Sequence, residues 1–255
     1  MSQVIKIISF VPSWTETLIE AGVSVVGCTR YCIHPKHIVQ DIPIVGGTKK
    51  ILIDECLKLK PDLIIFDKEE NNLEMTQLCD LHQLKWIATH VVDLKSCGEE
   101  LLKLSILLKN EQLKIWGEKY LQIAHEDVFS EEKRSRIFQS IILNSDRLAT
   151  DFKVQDYQIQ YLIWNEPLMA ITRQTFIGDV LAKLSLFAPD MQEGGSKYPE
   201  ISFDSLKDKY CLFSSEPYPF EKKYSELIQQ GLKGCLVDGE KVSWYGIRCL
   251  RTLNG

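Results

Sequence analysis

The sequence lacks the short motifs that mark common nucleotide and hydrolase sites. It contains neither a GxxxxGK[ST] phosphate loop nor a GxGxxG turn, so neither a Walker site nor a dinucleotide site is indicated. A GxSxG nucleophile elbow and a CxxC pair are also absent, which argues against an α/β-hydrolase, a zinc knuckle and a thioredoxin-type site. The sequence therefore offers no ready catalytic signature.

Long apolar runs and clusters of one charge are absent as well. No apolar run approaches the roughly 20 residues that span a bilayer, so membrane insertion is not expected. The 30 Lys and Arg residues are scattered among 35 Asp and Glu residues, and the net charge of −5 argues against a nucleic-acid partner. With only 14 Gly and 9 Pro in 255 residues and 45% hydrophobic residues, the chain is neither disordered nor of low complexity.

The first ten residues and the cysteines both bear on cellular location. The segment MSQVIKIISF shows no basic start, no long apolar stretch and no small-residue cleavage site, so the sequence predicts a cytoplasmic protein. Eight cysteines are present, and without an export signal we expect them to stay reduced and to pack as small apolar side chains.

Short apolar runs alternate with amphipathic segments in the first and last thirds of the chain. This alternation favours right-handed βαβ units and mostly parallel sheets. The predicted strands cover residues 5–11, 25–29, 63–66, 86–89, 160–164, 210–214 and 234–237. The predicted helices cover residues 15–21, 54–59, 73–84, 175–186, 221–230 and 246–253.

The middle of the chain, from about 96 to 144, loses the strand signal. Leu101, Leu104 and Leu108 recur at helical spacing, and Ser130 is followed by two glutamates that favour a new helix running toward Ile142. We therefore predict an α/β protein with two Rossmann-like α/β lobes joined by a long backbone helix. The predicted domains are an N-terminal lobe at 1–108, a helical connector at 109–150 and a C-terminal lobe at 151–255.

The loops after the predicted strands are rich in aromatic residues. Ligands of open parallel sheets bind beyond the carboxyl ends of the strands, so rings in these loops favour a large, flat, partly apolar ligand in a cleft. Each ring taken singly is equally well explained by packing at the top of its own lobe. The rings are Trp14, Tyr31, Trp164, Tyr218, Phe220, Trp244 and Tyr245.

Polar residues in the same loops suggest further chemistry. Ser13 and Glu16 have the spacing of a capping box, which predicts a helix start with its amides directed at the cleft. Cys32 and His34 are candidate metal ligands, although cysteine and histidine in a loop more often serve in packing and hydrogen bonding. The loop carboxylates are candidates for acid–base work, with a solvated carboxylate as the default explanation. They are Glu69, Glu70, Glu166 and Glu216.

Several segments together resemble the helical-backbone metal receptor family, the solute-binding proteins for cobalamin, haem and iron-siderophores in ABC-type import. They are ISFVPSWTE at 8–16, Val26-Gly27, Tyr31, Pro35 and LKPDLII at 59–65. A further segment, Asp238-Gly239 with WYGxR at 244–248, resembles the cobalamin-binding-like subgroup, here without a signal peptide. The resemblance covers essentially the whole chain, and residues 135–158 match least.

This resemblance implies two lobes with a rigid helix between them, a ligand clamped in the cleft and an ABC permease as partner. It also implies that Tyr31, Trp164 and Tyr198 occupy positions where aromatic rings embrace a corrin. At two further aromatic positions of the family this sequence has Thr48 and Asp67, which leave a more polar wall on the first lobe.

Together these observations predict a monomeric, non-enzymatic solute-binding protein for a metal chelate or corrinoid-like ligand such as cobalamin, haem or a ferric siderophore, with no tightly bound cofactor. Two alternatives stay open: a metal-assisted enzyme using Cys32, His34 and Glu70, and a ligand-free scaffold or sensor. The predicted ligand-binding residues are Ser13, Trp14, Tyr31, Lys68, Asn71, Trp164, Tyr198, Tyr218, Trp244 and Arg248, with Cys32 and His34 as metal ligands.

Overall fold

The structure, a computed structural model, describes residues 4–143, 158–186, 189–190 and 193–254. These residues form two compact units. The first unit draws on Met1–Val91, Lys95–Ile123 and Tyr245–Leu250, and the second on Val92–Leu94, Ala124–Trp244 and Arg251–Gly255. The predicted domains 1–108, 109–150 and 151–255 stay a prediction, because residues 144–157 lie outside the described part of the chain.

The first unit is built on a six-stranded sheet. Its strand order is β4-β3-β2-β1-β5-β6, and every neighbouring pair is parallel except the short β3–β4 hairpin. The strands are β1 (Lys6–Ser9), β2 (Ser24–Thr29), β3 (Ile44–Gly47), β4 (Lys50–Ile51), β5 (Leu63–Asp67) and β6 (Trp86–Thr89). All five residues of β5 are buried, as a central strand with both faces covered requires.

Helices cover this sheet and complete its core. The rings of Phe10 and Phe66 stack with centroids 5.0 Å apart, among buried aliphatic side chains such as Ile8 and Ile64. The helices are α1 (Pro12–Glu20), α2 (Lys36–Val39), α3 (Ile53–Leu59) and α4 (Leu73–Leu81), together with most of α5 (Leu94–Leu108) and α6 (Glu111–His125).

The second unit has a four-stranded sheet in the order β10-β9-β7-β8, in which only the β7–β8 pair is antiparallel. Its strands are β7 (Gln158–Asn165), β8 (Leu168–Ala170), β9 (Lys209–Ser214) and β10 (Lys233–Val237). Its helices are α7 (Glu131–Ile141), α8 (Phe176–Lys183), α9 (Tyr224–Gln229) and α10 (Gly239–Ser243), with 3₁₀ turns at Phe203–Leu206 and Phe220–Lys222. A last helix, α11 (Ile247–Asn254), begins in the first unit and ends in the second.

The predicted α/β class with two mostly parallel sheets is confirmed. Each predicted strand overlaps an observed one, and the strand predicted at 86–89 is β6. The sequence analysis missed β3, β4 and β8, which have four, two and three residues. Runs this short carry too few residues to show a period, and β3 ends in the glycine pair Gly46-Gly47, which disfavours a strand assignment.

The helical middle of the chain consists of three helices rather than one long rod. The break after α5 falls at Lys109, which has a left-handed φ of 51°, and Asn110, whose Oδ1 accepts from the Leu113 amide 3.0 Å away. The predicted helix start at Ser130 is confirmed, since its Oγ accepts from the Lys133 amide. Both breaks place a polar side chain where the first helical amides need an acceptor.

The segment that returns near the C-terminus packs into the first unit. Gly246 has a φ of +81°, and a Cβ at this position would lie 2.1 Å from the Thr17 Oγ1. That hydroxyl accepts from the Ile247 amide at 3.0 Å, and the Tyr120 hydroxyl donates to the Gly246 carbonyl at 2.8 Å. Both the backbone conformation and the close approach therefore require glycine here.

The cysteines and the helix lengths bear on two further expectations. All eight cysteines lie in the described part of the chain, where each is buried and none forms a disulfide. Of the helices that the structure describes, none combines the length and the apolar character needed to cross a membrane.

Helices α5 and α6 approach each other through a pair of glycines. A Cβ added to Gly98 would lie 2.9 Å from the Gly117 carbonyl oxygen, and a Cβ added to Gly117 would lie 3.0 Å from the Gly98 carbonyl oxygen. Contacts this short leave no room for a methyl group on either helix unless the backbones separate. The two glycines therefore set the distance between these helices.

We expect Gly98→Ala to lower the free energy of unfolding by about 1–3 kcal/mol, because the methyl group forces the helices apart. Alanine is the better helix former by about 1 kcal/mol, so a loss of stability would report the crowding itself. Urea unfolding followed by circular dichroism measures it, with Gln122→Ala on the exposed face of α6 as the matched control. A Gly98→Ala protein as stable as the wild type would contradict this account.

Candidate functional site

The carboxyl ends of the parallel strands place the loops of the first unit at one edge of its sheet. The segment after β1 begins α1, the loop after β2 carries Arg30, Tyr31 and Cys32, and the loop after β5 runs from Lys68 to Asn72. Ligands of open α/β sheets bind at this edge, so it is where the predicted residues of the first unit can be compared with their observed places.

Trp14 lies inside the unit rather than on its surface. The side chain is fully buried, its Nε1 donates to the Thr89 Oγ1 at 2.9 Å, and Tyr245 packs edge-on against it with ring centroids 5.0 Å apart. Thr89 in turn donates to the Asp67 Oδ2 at 2.7 Å. No face of the Trp14 ring reaches the surface in this structure, so its observed role is in the core, and stacking on a ligand stays a prediction.

Asn71 holds the edge together from within. Its Nδ2 donates to the carbonyls of Phe10 (3.2 Å) and Thr48 (2.8 Å), and its Oδ1 accepts from the Asp67 amide (2.8 Å). One side chain thus joins the ends of β1 and β5 to the β3–β4 turn. Both amide protons of Asn71 are used in these bonds, so its observed role is to position the loops, and a ligand contact stays a prediction.

The helix after β1 begins two residues earlier than the predicted capping box requires. Val11 is the N-cap and Pro12 the first helical residue, where a missing amide proton costs nothing. Ser13 therefore lies inside the helix, only 5% exposed, and the capping box predicted for Ser13 and Glu16 is wrong. The Glu16 side chain therefore does not cap the helix and bonds to a different residue.

That partner is Arg248. Its Nε and Nη2 donate to the two carboxylate oxygens of Glu16 at 2.7 and 2.8 Å, a bidentate pair. The Glu16 side chain is 5% exposed and that of Arg248 is 21% exposed, so the ion pair is largely removed from water. The observed partner of Arg248 is thus a buried carboxylate of its own unit, and the predicted ligand contact of Arg248 stays a prediction.

A second shielded carboxyl group, Glu70, lies in the loop after β5. The Tyr245 hydroxyl donates to its Oε1 at 3.1 Å. Burial raises the pKa of Glu70 to about 8, and the neighbouring negative charges of Asp67 and Cys32 act in the same direction. Burial also raises the pKa of Asp67, whose oxygens accept from the Glu69 and Val91 amides at 2.9 and 3.3 Å.

Tyr31 and Lys68 are the exposed residues among the ligand-binding residues predicted for this unit, while Asn71 and Arg248 are partly exposed. The Tyr31 side chain is 52% exposed, and the Arg30 guanidinium lies 5.7 Å from its ring centroid. Its ring edge also lies beside Gly47, where an added Cβ would be 3.3 Å from the Tyr31 Cε2. Lys68 is exposed, and its amide is held by the Thr89 carbonyl at 3.0 Å.

The predicted metal ligands Cys32 and His34 are not brought into a metal site. Within the residues that the structure describes, no three cysteine, histidine or carboxylate side chains are grouped so that they could hold a metal ion. Cys32 is buried, whereas His34 is half-buried. Protein zinc and iron sites need three or four converging ligands, so these two residues alone do not form one.

In the second unit, Trp164 and Tyr218 pack together. Their ring centroids are 5.6 Å apart, and Tyr218 also packs against the fully buried Phe220 at 4.9 Å. The Trp164 side chain stays 39% exposed, with its Nε1 donating to the Glu166 carbonyl at 3.0 Å. Trp164 therefore combines a fixed orientation with an accessible ring, which suits contact with an apolar ligand surface.

Trp244 belongs to a hydrogen-bonded group around Glu216 in the same unit. The Ser243 hydroxyl donates to the Glu216 Oε1, and the Trp244 side chain also bonds to this carboxyl group. Burial raises the pKa of Glu216, while both hydrogen bonds lower it. Tyr198, the remaining predicted residue, is half-buried, and its amide donates to the Ser196 Oγ at 3.0 Å.

The sequence analysis located the loops at the strand ends but did not identify the hydrogen-bond partners of Glu16 and Glu70. Neither the pairing of Glu16 with Arg248 nor that of Glu70 with Tyr245 follows from local spacing, because the members are 232 and 175 residues apart.

Comparison with solved structures shows the fold. The chain is similar to the periplasmic vitamin B12 binding protein BtuF of Vibrio cholerae, with a TM-score of 0.68 and 16% identity over 98% of this chain and 93% of that one. A periplasmic haem binding protein of Pseudomonas aeruginosa gives a TM-score of 0.73 and 16% identity over 97% and 89% of the two chains. A possible iron-binding, periplasmic solute-binding protein of Staphylococcus epidermidis gives 0.68 and 19% over 97% and 95%.

The sequence comparisons find no counterpart to these structural matches. No protein-family model matches the sequence, and no curated protein matches it. The two-lobe binding-protein fold that the sequence resemblance implied is thus confirmed from structural similarity along nearly the whole chain.

We expect Arg248→Met to lower the free energy of unfolding by about 3–5 kcal/mol, because it leaves the Glu16 carboxylate buried without its counter-charge. A double-mutant cycle with Glu16→Gln, measured by urea unfolding, isolates the pair: the double variant should lose at least about 1 kcal/mol less than the sum of the singles. Additive losses would show that the two side chains are not coupled.

The raised pKa of Glu70 predicts a pH dependence of stability. Its ordinary value is 4.5, so between about 4.5 and 8 the folded protein binds this proton more tightly than the unfolded chain does, and stability falls as the pH rises. We expect the loss of urea stability from pH 5 to pH 8 to be smaller in Glu70→Gln than in the wild type. Glu74→Gln, an exposed residue of α4, should keep the wild-type slope, and equal slopes in all three proteins would contradict the prediction.

Proposed function

We propose that the chain is a non-enzymatic solute-binding protein whose ligand is a metal chelate or a corrinoid-like molecule. The observation that carries the proposal is the structural similarity along 97–98% of the chain to proteins described as binding vitamin B12, haem or iron. In open α/β sheets the ligand binds at the carboxyl edge, and the side chains that remain accessible there supply the binding surface.

Tyr31 provides the apolar contact of the first unit. Roughly half of its side chain is accessible, and Arg30 and Gly47 restrict where the ring can lie. A ring whose position is already restricted loses little freedom when a flat ligand stacks on it. Lys68 follows β5 at the same edge and supplies a cation for a carboxylate or amide oxygen of the ligand.

Trp164 provides the corresponding contact of the second unit. Tyr218 supports its ring from one side, and the hydrogen bond to the Glu166 carbonyl fixes its rotation. The support is itself anchored, because Tyr218 packs on the buried Phe220. An exposed, rigid indole of this kind is the side chain that most often dominates binding energy at ligand and protein surfaces.

The arrangement of the titratable side chains favours binding over metal-assisted catalysis. Of the three residues proposed for an enzyme, Glu70 bonds to Tyr245, Cys32 is buried and His34 lies outside any three-ligand group in the described residues. We propose an ABC permease as the partner and a monomer as the working state. The cytoplasmic location stays a prediction, which fractionation of cells with an antibody against the chain would test.

We expect purified protein to be stabilised against heat, and to shift the ligand's absorbance, with at least one of cobalamin, cobinamide, haem and a ferric siderophore. Tyr31→Ala and Trp164→Ala should each weaken that binding at least about tenfold, because each removes an accessible ring. Isothermal titration calorimetry measures the affinities.

Ile106→Ala is the matched control, since it removes an apolar side chain that is 79% exposed but lies on α5, away from the loops after the strands. Its affinity should equal that of the wild type. If none of the four ligands binds a protein whose circular dichroism spectrum shows it to be folded, the proposed ligand class is wrong.

A further inference from the structure

Cys32 lies in a polar environment that is unusual for a buried thiol. The residue is 4% exposed and follows β2 in a tight turn, with its amide donating to the Thr29 carbonyl at 3.1 Å. Its Sγ is 3.1 Å from the Thr15 Oγ1 and 3.2 Å from the Thr29 Oγ1. Two hydroxyl groups thus converge on one sulfur atom. The Thr15 hydroxyl also donates to the Val11 carbonyl at 3.0 Å, so the Thr29 hydroxyl is the one with a proton available to the sulfur, and such a donor stabilises a thiolate more than a thiol.

A second thiol lies beside it. Cys28 is the fifth residue of β2, fully buried, and it belongs with Cys32 and Val39 to one small cluster in the core. The two side chains pack together in this cluster, and each thiol shifts the pKa of the other. Two thiols that are neighbours in the core are candidates for a disulfide between them.

The pKa values of the two thiols are shifted in opposite directions. The hydrogen bonds from Cys28, Thr15 and Thr29 outweigh burial and lower the pKa of Cys32 to about 7, whereas the contact with Cys32 and burial raise the pKa of Cys28. Burial instead raises the pKa of the buried Cys56 and Cys79 to about 12 and 11. Cys32 is thus the thiol of the pair that ionises more readily, and Cys28 the one that holds its proton more tightly.

We propose that Cys28 and Cys32 are a reversible dithiol–disulfide pair, which a peroxide converts into an intrachain disulfide. The Cys32 thiolate attacks one oxygen of hydrogen peroxide, forming a sulfenic acid and releasing hydroxide. The Cys28 sulfur then attacks the Cys32 sulfur, an S–S bond forms, and the sulfenic oxygen leaves as water with the Cys28 proton. Two thiol sulfurs are oxidised by two electrons in total, and one peroxide is reduced.

The pair also has a position from which it can act on the neighbouring loop. Closing an S–S bond brings the sulfurs to about 2.05 Å, which draws Cys32 away from the Thr15 and Thr29 hydroxyls. Tyr31 is the adjacent residue, so oxidation shifts the exposed ring. This coupling to ligand affinity rests on the proposed function, whereas disulfide formation does not.

Peptide mapping tests the pair directly, because Arg30 lies between the two cysteines. Trypsin cuts after Lys6, Arg30 and Lys36, so residues 7–30 carry only Cys28 and residues 31–36 carry only Cys32. After hydrogen peroxide at pH 7 and alkylation of the remaining thiols, we expect these two peptides to be linked, about 2 Da below their summed mass, and to separate on reduction with dithiothreitol.

Two controls are built into the same chain. Without oxidant, Cys32 should react with iodoacetamide at least about tenfold faster than Cys56 in the folded protein, because its lower pKa gives it the larger thiolate fraction. Cys56 and Cys79 lie in one core cluster but lack the lowered pKa, so the peptides that carry them should stay unlinked at the peroxide concentration that links Cys28 to Cys32.

Substitutions identify the order of the steps. Cys28→Ser should let the sulfenic acid of Cys32 accumulate, where dimedone traps it, and Cys32→Ser should leave Cys28 unoxidised. The proposal is overturned if the wild-type protein forms another disulfide first, or if Cys32 is overoxidised while Cys28 remains a free thiol. The wild-type mapping decides this even if a variant fails to fold, and a linked pair with unchanged ligand affinity would refute only the coupling.

Discussion

The compensation of one buried carboxylate constrains how the first unit is put together. Every residue of α1 from Pro12 to Leu18 is buried, and Glu16 lies among them. A carboxylate removed from water costs several kcal/mol unless a counter-charge and hydrogen bonds replace the lost hydration. Arg248 supplies both with a bidentate contact, and it comes from a segment 232 residues later in the chain. The first unit is therefore complete only when the end of the chain has returned to it.

The same returning segment fills the interior of the sheet edge. Tyr245 packs against Trp14 and donates to Glu70, while the backbone at Gly246 closes on Thr17. Trp14 and Tyr245, which follow strands as ligand-contacting rings would, are therefore buried inside the edge of the sheet and pack against each other. Of the large rings described at this edge of the first unit, Tyr31 is the exposed one.

The fold was predictable to the extent that it depends on local patterns. The apolar run at 86–89 became β6, and Ser130 begins α7, because burial on both faces and the need for an N-terminal acceptor are properties of a few consecutive residues. The direction of a side chain is not such a property. Trp14 follows a strand, as a ligand-stacking ring would, yet its indole donates to Thr89, which is 75 residues away. The residues around position 14 contain no pattern that predicts this partner.

The acidic groups at this edge of the sheet influence one another's pKa values. Glu70 has a raised pKa partly because Asp67 and the Cys32 sulfur lie near it, and by the same interactions a charge on Glu70 opposes ionisation of its neighbours. Conversion of the Cys32 thiolate into a neutral disulfide removes one of these causes, so the pKa of Glu70 should fall on oxidation. A carboxyl group that is largely protonated at neutral pH would then release its proton more readily beneath Tyr245. The oxidation state of Cys32 and the charge of Glu70 are therefore coupled electrostatically. The Thr15 and Thr29 hydroxyls contact the Cys32 sulfur, and the Tyr245 hydroxyl donates to Glu70.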